Sequence, residues 1–126
     1  MVIAPVAYSF VRRGLSTLIK QSNVSKNLGR ADDFKVGTSR VEYLASEKVV
    51  IGRTSEGDFH AVSAVCTHLG CSIRFETFAS MSGFVCNCHS SKFDLDGLNL
   101  TGPAPTPLKS FEVVVIGGEV VLRDDL

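Results

Sequence analysis

From Asp32 onward, apolar and polar residues alternate in short runs rich in Val, Ile and Phe and bounded by turn residues. The pattern predicts strands over residues 41–44, 47–54, 59–65, 72–75, 83–86, 111–116 and 119–123. Thr54-Ser55-Glu56-Gly57-Asp58 is expected to reverse the chain. Gly117-Gly118, between two Val-rich runs, predicts a tight hairpin turn with positive φ at both positions. Short strands without helical periodicity predict an all-β fold, a small antiparallel β-sandwich or barrel over residues 32–126.

The first part of the chain reads differently. Over residues 6–20, Val11, Leu15, Leu18 and Ile19 fall on one helical face, with Arg12, Arg13 and Lys20 off it. Three readings stay open: a short helix packing on its own domain, an interfacial helix or the trailing end of a membrane anchor, and a targeting peptide. Residues 21–31 read as a polar linker, so residues 1–31 are expected to form a helical or extended leader. No run of about eighteen apolar residues is present, so no complete membrane span is expected.

Net charge sharpens this division. The 126 residues carry 13 basic and 13 acidic side chains. Arg12, Arg13, Lys20, Lys26 and Arg30 precede every acidic residue, so a basic leader precedes a mildly acidic domain. A balanced total gives no reason to expect nucleic acid as a partner. The length suits one domain with its own core.

Candidate chemistry concentrates in two segments. All four cysteines and two of the three histidines lie in Cys66-Thr67-His68-Leu69-Gly70-Cys71 and Cys86-Asn87-Cys88-His89-Ser90-Ser91. Such clustering points to a metal site, a disulfide, or both. Each segment follows a predicted strand and is therefore expected on a loop held by a rigid scaffold. His60, inside a predicted strand, is expected to be an ordinary strand residue, and Asp94, Asp96 and Gly97 to form a turn.

These segments resemble the two cluster-binding loops of the Rieske iron–sulfur proteins, whose pattern is C-T-H-L-G-C followed by C-P-C-H-G-S. Gly102-Pro103-Ala104-Pro105 resembles that family's proline loop. The likeness runs from about Lys35 to the C-terminus. It implies a Rieske [2Fe-2S] cluster with Cys66 and Cys86 on the inner iron and His68 and His89 on the outer iron. It also implies a disulfide between Cys71 and Cys88, and a cluster cover and docking surface from Leu69, Gly70, Gly102, Pro103 and Pro105. Histidines in place of two thiolates leave the oxidised cluster neutral, so it accepts an electron readily, within roughly −150 to +300 mV for the class.

Three positions depart from the pattern. Asn87 stands in place of Pro. Ser90 stands in place of Gly and is expected at negative φ or in a relaxed loop. Phe93 stands where high-potential members place a Tyr, while Ser91 keeps the Ser hydroxyl that donates to a bridging sulfide. One hydrogen bond fewer to a charged sulfur is worth about 1–3 kcal/mol, which predicts a lowered potential.

The disulfide type implies a subunit of a cytochrome bc-type complex that is not catalytic alone. It would take an electron, with proton coupling, from a quinol at a cytochrome b and pass it to a cytochrome. Its expected place is the extracytoplasmic face of an energy-transducing membrane (periplasm, lumen or intermembrane space), held by partners or by the N-terminal segment. The alternatives are a small arsenite-oxidase-type subunit or soluble Rieske carrier, an oxygenase ferredoxin, and a structural zinc module.

Overall fold

The computed structural model describes residues 24–67, 70–78, 81–88 and 90–124. In chain order the strands are β1 (Ser25–Arg30), β2 (Ser39–Leu44), β3 (Glu47–Arg53), β4 (Phe59–Ser63), β5 (Ile73–Phe78), β6 (Met81–Cys86), β7 (Lys92–Phe93), β8 (Asn99–Thr101), β9 (Ser110–Ile116) and β10 (Glu119–Arg123). They build a six-stranded sheet, β1-β10-β9-β4-β3-β2, and a four-stranded sheet, β5-β6-β7-β8. Every ladder is antiparallel. A single 3-10 turn, Ala31–Asp33, follows β1. Among the described residues no helix is long and apolar enough to cross a membrane. The amphipathic pattern over residues 6–20 lies outside the described residues.

The apolar run in β3 is continuous because both faces of the strand are covered. Val49, Val50, Ile51 and Gly52 are all buried. Val49 and Ile51 join Leu28, Phe34, Leu44, Phe111, Val120 and Leu122 inside the six-stranded sheet. Val50 points the other way, as the two-residue period of a strand requires, and packs with Val62, Ala64, Phe84 and Phe93 between the sheets. Gly52 shares that outer face. A Cβ there would lie 2.3 Å from the Phe75 ring of β5, so its bare Cα is what lets the second sheet approach the first.

The six-stranded sheet curls until its end strands meet, and side chains join them. Lys26 of β1 donates to the Tyr43 carbonyl of β2 at 3.2 Å and pairs with Glu42 at 3.0 Å. Arg40 of β2 donates to the Leu28 carbonyl of β1 at 3.1 Å and to Glu42 at 2.9 Å. The bond from Arg40 is the chief cause holding the Glu42 carboxyl below its ordinary pKa. This seam gives the sheet a barrel form without a backbone ladder between β1 and β2.

All seven expected strands have counterparts, and Gly117 and Gly118 take φ values of 60° and 82° as the hairpin requires. The Thr54 turn also forms, with the Thr54 and Asp58 backbones bonded at 2.8 Å. Three strands had no counterpart in the pattern. The most consequential is β1, which lies within residues 21–31, read as a linker: residues 25–30 pair with β10 across a bulge at Asn27/Gly29. Its sequence, SKNLGR, buries only Leu28, so no alternation is visible. Strands β7 and β8 are too short for any periodicity.

Candidate metal centre

The two chemical segments leave the scaffold side by side. Residues 66–71 follow β4, and residues 86–91 begin on the last residue of β6. The Val65↔Ser72 bridge closes the base of the first loop, and the Ile73↔Cys86 pair sets the second loop against it. The Asn87 amide then donates to the Ser72 carbonyl at 3.0 Å.

Each loop folds on itself by the same two backbone bonds. Cys66 donates to the Cys71 carbonyl at 2.7 Å, and Gly70 donates back to the Cys66 carbonyl at 3.1 Å. Cys86 donates to the Ser91 carbonyl at 2.8 Å, and Ser90 donates back to the Cys86 carbonyl at 3.2 Å. Gly70 and Ser90 are therefore equivalent, and both are left-handed, with φ of 73° and 57°. This corrects the expectation for Ser90. Its φ is positive, because the repeat of the loop geometry demands it whatever residue is present.

A disulfide joins Cys71 to Cys88, with Cα atoms 6.1 Å apart, and clamps the loops together. Cys66 and Cys86 stand outside that bond at equivalent positions, the first of each loop. Both are buried, in one apolar cluster with Ile73, Phe84, Phe93, Ala104 and Leu108. His68, Leu69 and His89 lie outside the described residues.

The proline segment ties to both loops. The Ala104 amide donates to Ser91 Oγ at 3.2 Å, and Ser91 is wholly buried. Thr67 Oγ1 donates to the Thr106 carbonyl at 2.8 Å, and Asn99 Nδ2 holds the Ala104 carbonyl at 3.3 Å. Ala104 is buried, whereas Pro103 and Pro105 are exposed. The sequence reading missed Thr67, Thr106 and Asn99 as residues that anchor this segment. Thr67 was visible inside its motif, but its partner is 39 residues away. His60 is an ordinary member of β4, opposite Gly52 of β3.

The donor set fits a binuclear iron–sulfur centre. Two buried sulfurs open two equivalent loops, the loops are cross-linked, and a third segment covers them. A histidine follows two residues after the first thiol and three after the second. Two thiolates and two imidazoles are the ligands that a Rieske cluster uses.

Comparison with known proteins agrees. The model of the Rieske [2Fe-2S] domain matches residues 25–112. The cytochrome b6-f complex iron-sulfur subunit of Chlorobaculum tepidum is 37% identical over 95 residues, covering 75% of this chain and 51% of that protein. The menaquinol:cytochrome c reductase iron-sulfur subunit of Geobacillus thermodenitrificans is 35% identical over 94 residues, covering 71% and 56%. The chain thus spans about half the length of these curated relatives. Among solved structures, the plasma membrane Rieske protein of Synechocystis PCC 6803 superposes with a TM-score of 0.64 at 28% identity, covering 77% of this chain and 97% of that one. The matched model begins at β1, and the relatives agree with the cross-linked loops: the chain belongs to the Rieske family, and its cofactor is one [2Fe-2S] cluster.

Proposed function

We propose that this chain carries one electron at a time from a quinol to a cytochrome, as the cluster-bearing part of a cytochrome bc-type complex. The observation that carries this reading is the Cys71–Cys88 disulfide between the cluster-binding loops. It is the feature that the family resemblance ties to quinol-oxidising complexes and that argues against an oxygenase ferredoxin. The named relatives, subunits of a cytochrome b6-f complex and of a menaquinol:cytochrome c reductase, point the same way.

In this reading Cys66 and Cys86 would hold one iron as thiolates, and His68 and His89 would hold the other. When bound, the cluster supplies a one-electron acceptor and donor. The chain's own residues do the rest. The buried cluster of Phe84, Phe93, Ala104 and Leu108 keeps water from the two sulfurs. Ser91 Oγ accepts from Ala104 and so keeps its own proton to donate toward a sulfide. The non-ligating ring nitrogen of His68 or of His89 would accept a proton from a quinol hydroxyl, and the accompanying electron would go to the cluster that these histidines would hold. Leu69, Gly70, Pro103 and Pro105 form the docking edge toward a cytochrome b, whose own residues build most of the quinol pocket. The site would then face the periplasm, a lumen or an intermembrane space, where a disulfide persists.

Purification from native membranes tests the assignment. Co-purification with a cytochrome b is the expected result. Recovery of a coloured protein in the soluble fraction, with no cytochrome attached, would replace this reading with that of a soluble carrier.

A further inference from the structure

The second loop departs from its family pattern at Asn87, and the structure shows what stands there instead of a proline. A proline ring stiffens a chain by fixing φ, but it has no amide proton. Asn87 has one, and donates it to the Ser72 carbonyl at 3.0 Å, beside the disulfide. Its side-chain carbonyl is also held: Arg74 Nη1 of β5 donates to Asn87 Oδ1. Arg74 is itself fixed by Glu76, two residues along the same face of the strand, with Nε at 3.1 Å and Nη2 at 3.0 Å from Oε1. Glu76, Arg74 and Asn87 thus form a chain of side chains from the sheet to the residue between Cys86 and the disulfide-bonded Cys88.

We propose that Arg74 is a positioning residue for the second cluster-binding loop, acting through the Asn87 side chain in place of the rigidity that proline gives. The proposal rests on the Rieske reading of the site. Two consequences follow from the geometry. The loop is held against β5, which limits how far the exposed Cys88 can move to align its disulfide with an attacking thiol. The guanidinium is also kept within one residue of Cys86, where it balances the Glu76 carboxylate; without it, an unpaired negative charge would disfavour the reduced, more negative cluster.

The test uses the full chain with its cluster loaded. Dithiothreitol reduction of the disulfide is followed by thiol labelling and mass spectrometry, and the midpoint potential by protein-film voltammetry. Arg74→Met and Asn87→Ala each remove the link; Asn87→Ala leaves every charge in place. Both residues are at the surface, so neither change opens the core. Each is expected to speed reduction about fivefold, the worth of one hydrogen bond. The double variant is expected to be no faster than either single one, because both act on one contact. Asn87→Asp, which keeps an acceptor for Arg74, is expected to retain the parent rate. The midpoint is expected to move to lower values in Arg74→Met, which leaves Glu76 unpaired, and to stay at the parent value in Asn87→Ala. Unchanged rates and potentials, or multiplicative effects in the double variant, would overturn the role of Arg74 while leaving the coloured cluster intact. A parent protein without iron would instead overturn the Rieske reading.

Discussion

Gly102 sits against Ser91 so closely that a Cβ on it would lie 2.5 Å from the Ser91 Cα and 2.6 Å from its Oγ. The contact brings the proline segment onto the second loop, where the Ala104 amide finds the same Ser91 oxygen. It also explains the glycine of the Gly-Pro-Ala-Pro sequence, whose φ of 97° already disfavours any side chain.

Gly102→Ala is therefore expected to lift the cover from the loops. Strain and the displaced contact together cost about 1–3 kcal/mol. Denaturant unfolding should show that loss, with faster bleaching of the visible absorption. Unaltered stability and colour would mean that the segment yields easily and does not cover the site.

Phe93 is wholly buried and pairs with Phe84 across β6 and β7. Phe93→Tyr should raise the midpoint potential by about 40–130 mV, the equivalent of about 1–3 kcal/mol for one electron, if its hydroxyl reaches a ligand sulfur. Voltammetry decides it: an unchanged midpoint rules out tuning at this position.

At Ser90, the left-handed backbone costs an L-residue about 1–2 kcal/mol, and glycine escapes that cost at the expense of a more flexible unfolded chain. Ser90→Gly should stabilise the protein by a net of about 0.5–1 kcal/mol, seen as a higher denaturant midpoint at unchanged slope. A lower midpoint would show that the Ser90 side chain contributes more than its backbone costs.

The barrel seam has an acid-side signature. Because Arg40 and Lys26 hold the Glu42 carboxyl below its ordinary pKa, folding favours its charged form. That contribution is complete above the unfolded-state pKa, about 4.3 for a glutamate, and fades as pH falls below it through the lower folded-state value. Glu42→Gln should lower stability at neutral pH and flatten this part of the stability–pH curve. Parallel curves for the two proteins would remove Glu42 from the account.

Donor chemistry and strand period are local properties, and the sequence by itself determined both. Cysteine and histidine at short spacing point to a metal site, a disulfide, or both, the resemblance of the two loops to the Rieske pattern names which, and the runs through β2–β6, β9 and β10 carry the alternation or continuous burial of strands. What the tertiary structure alone decided depends on partners far along the chain. The strand β1, with one buried side chain, is a strand only because β10 offers it an edge and Lys26 and Arg40 close the seam. The two-faced burial of β3 awaits a second sheet, and Gly52 gives no hint that the Phe75 ring rests on it. Ser90 is left-handed because its loop repeats the first loop's hydrogen bonds, which override a residue's own preference. Arg74 reaches Asn87 only because β5 and β6 pair in the register that sets Ile73 opposite Cys86. Periodicity is written residue by residue; such contacts exist only once the chain has closed.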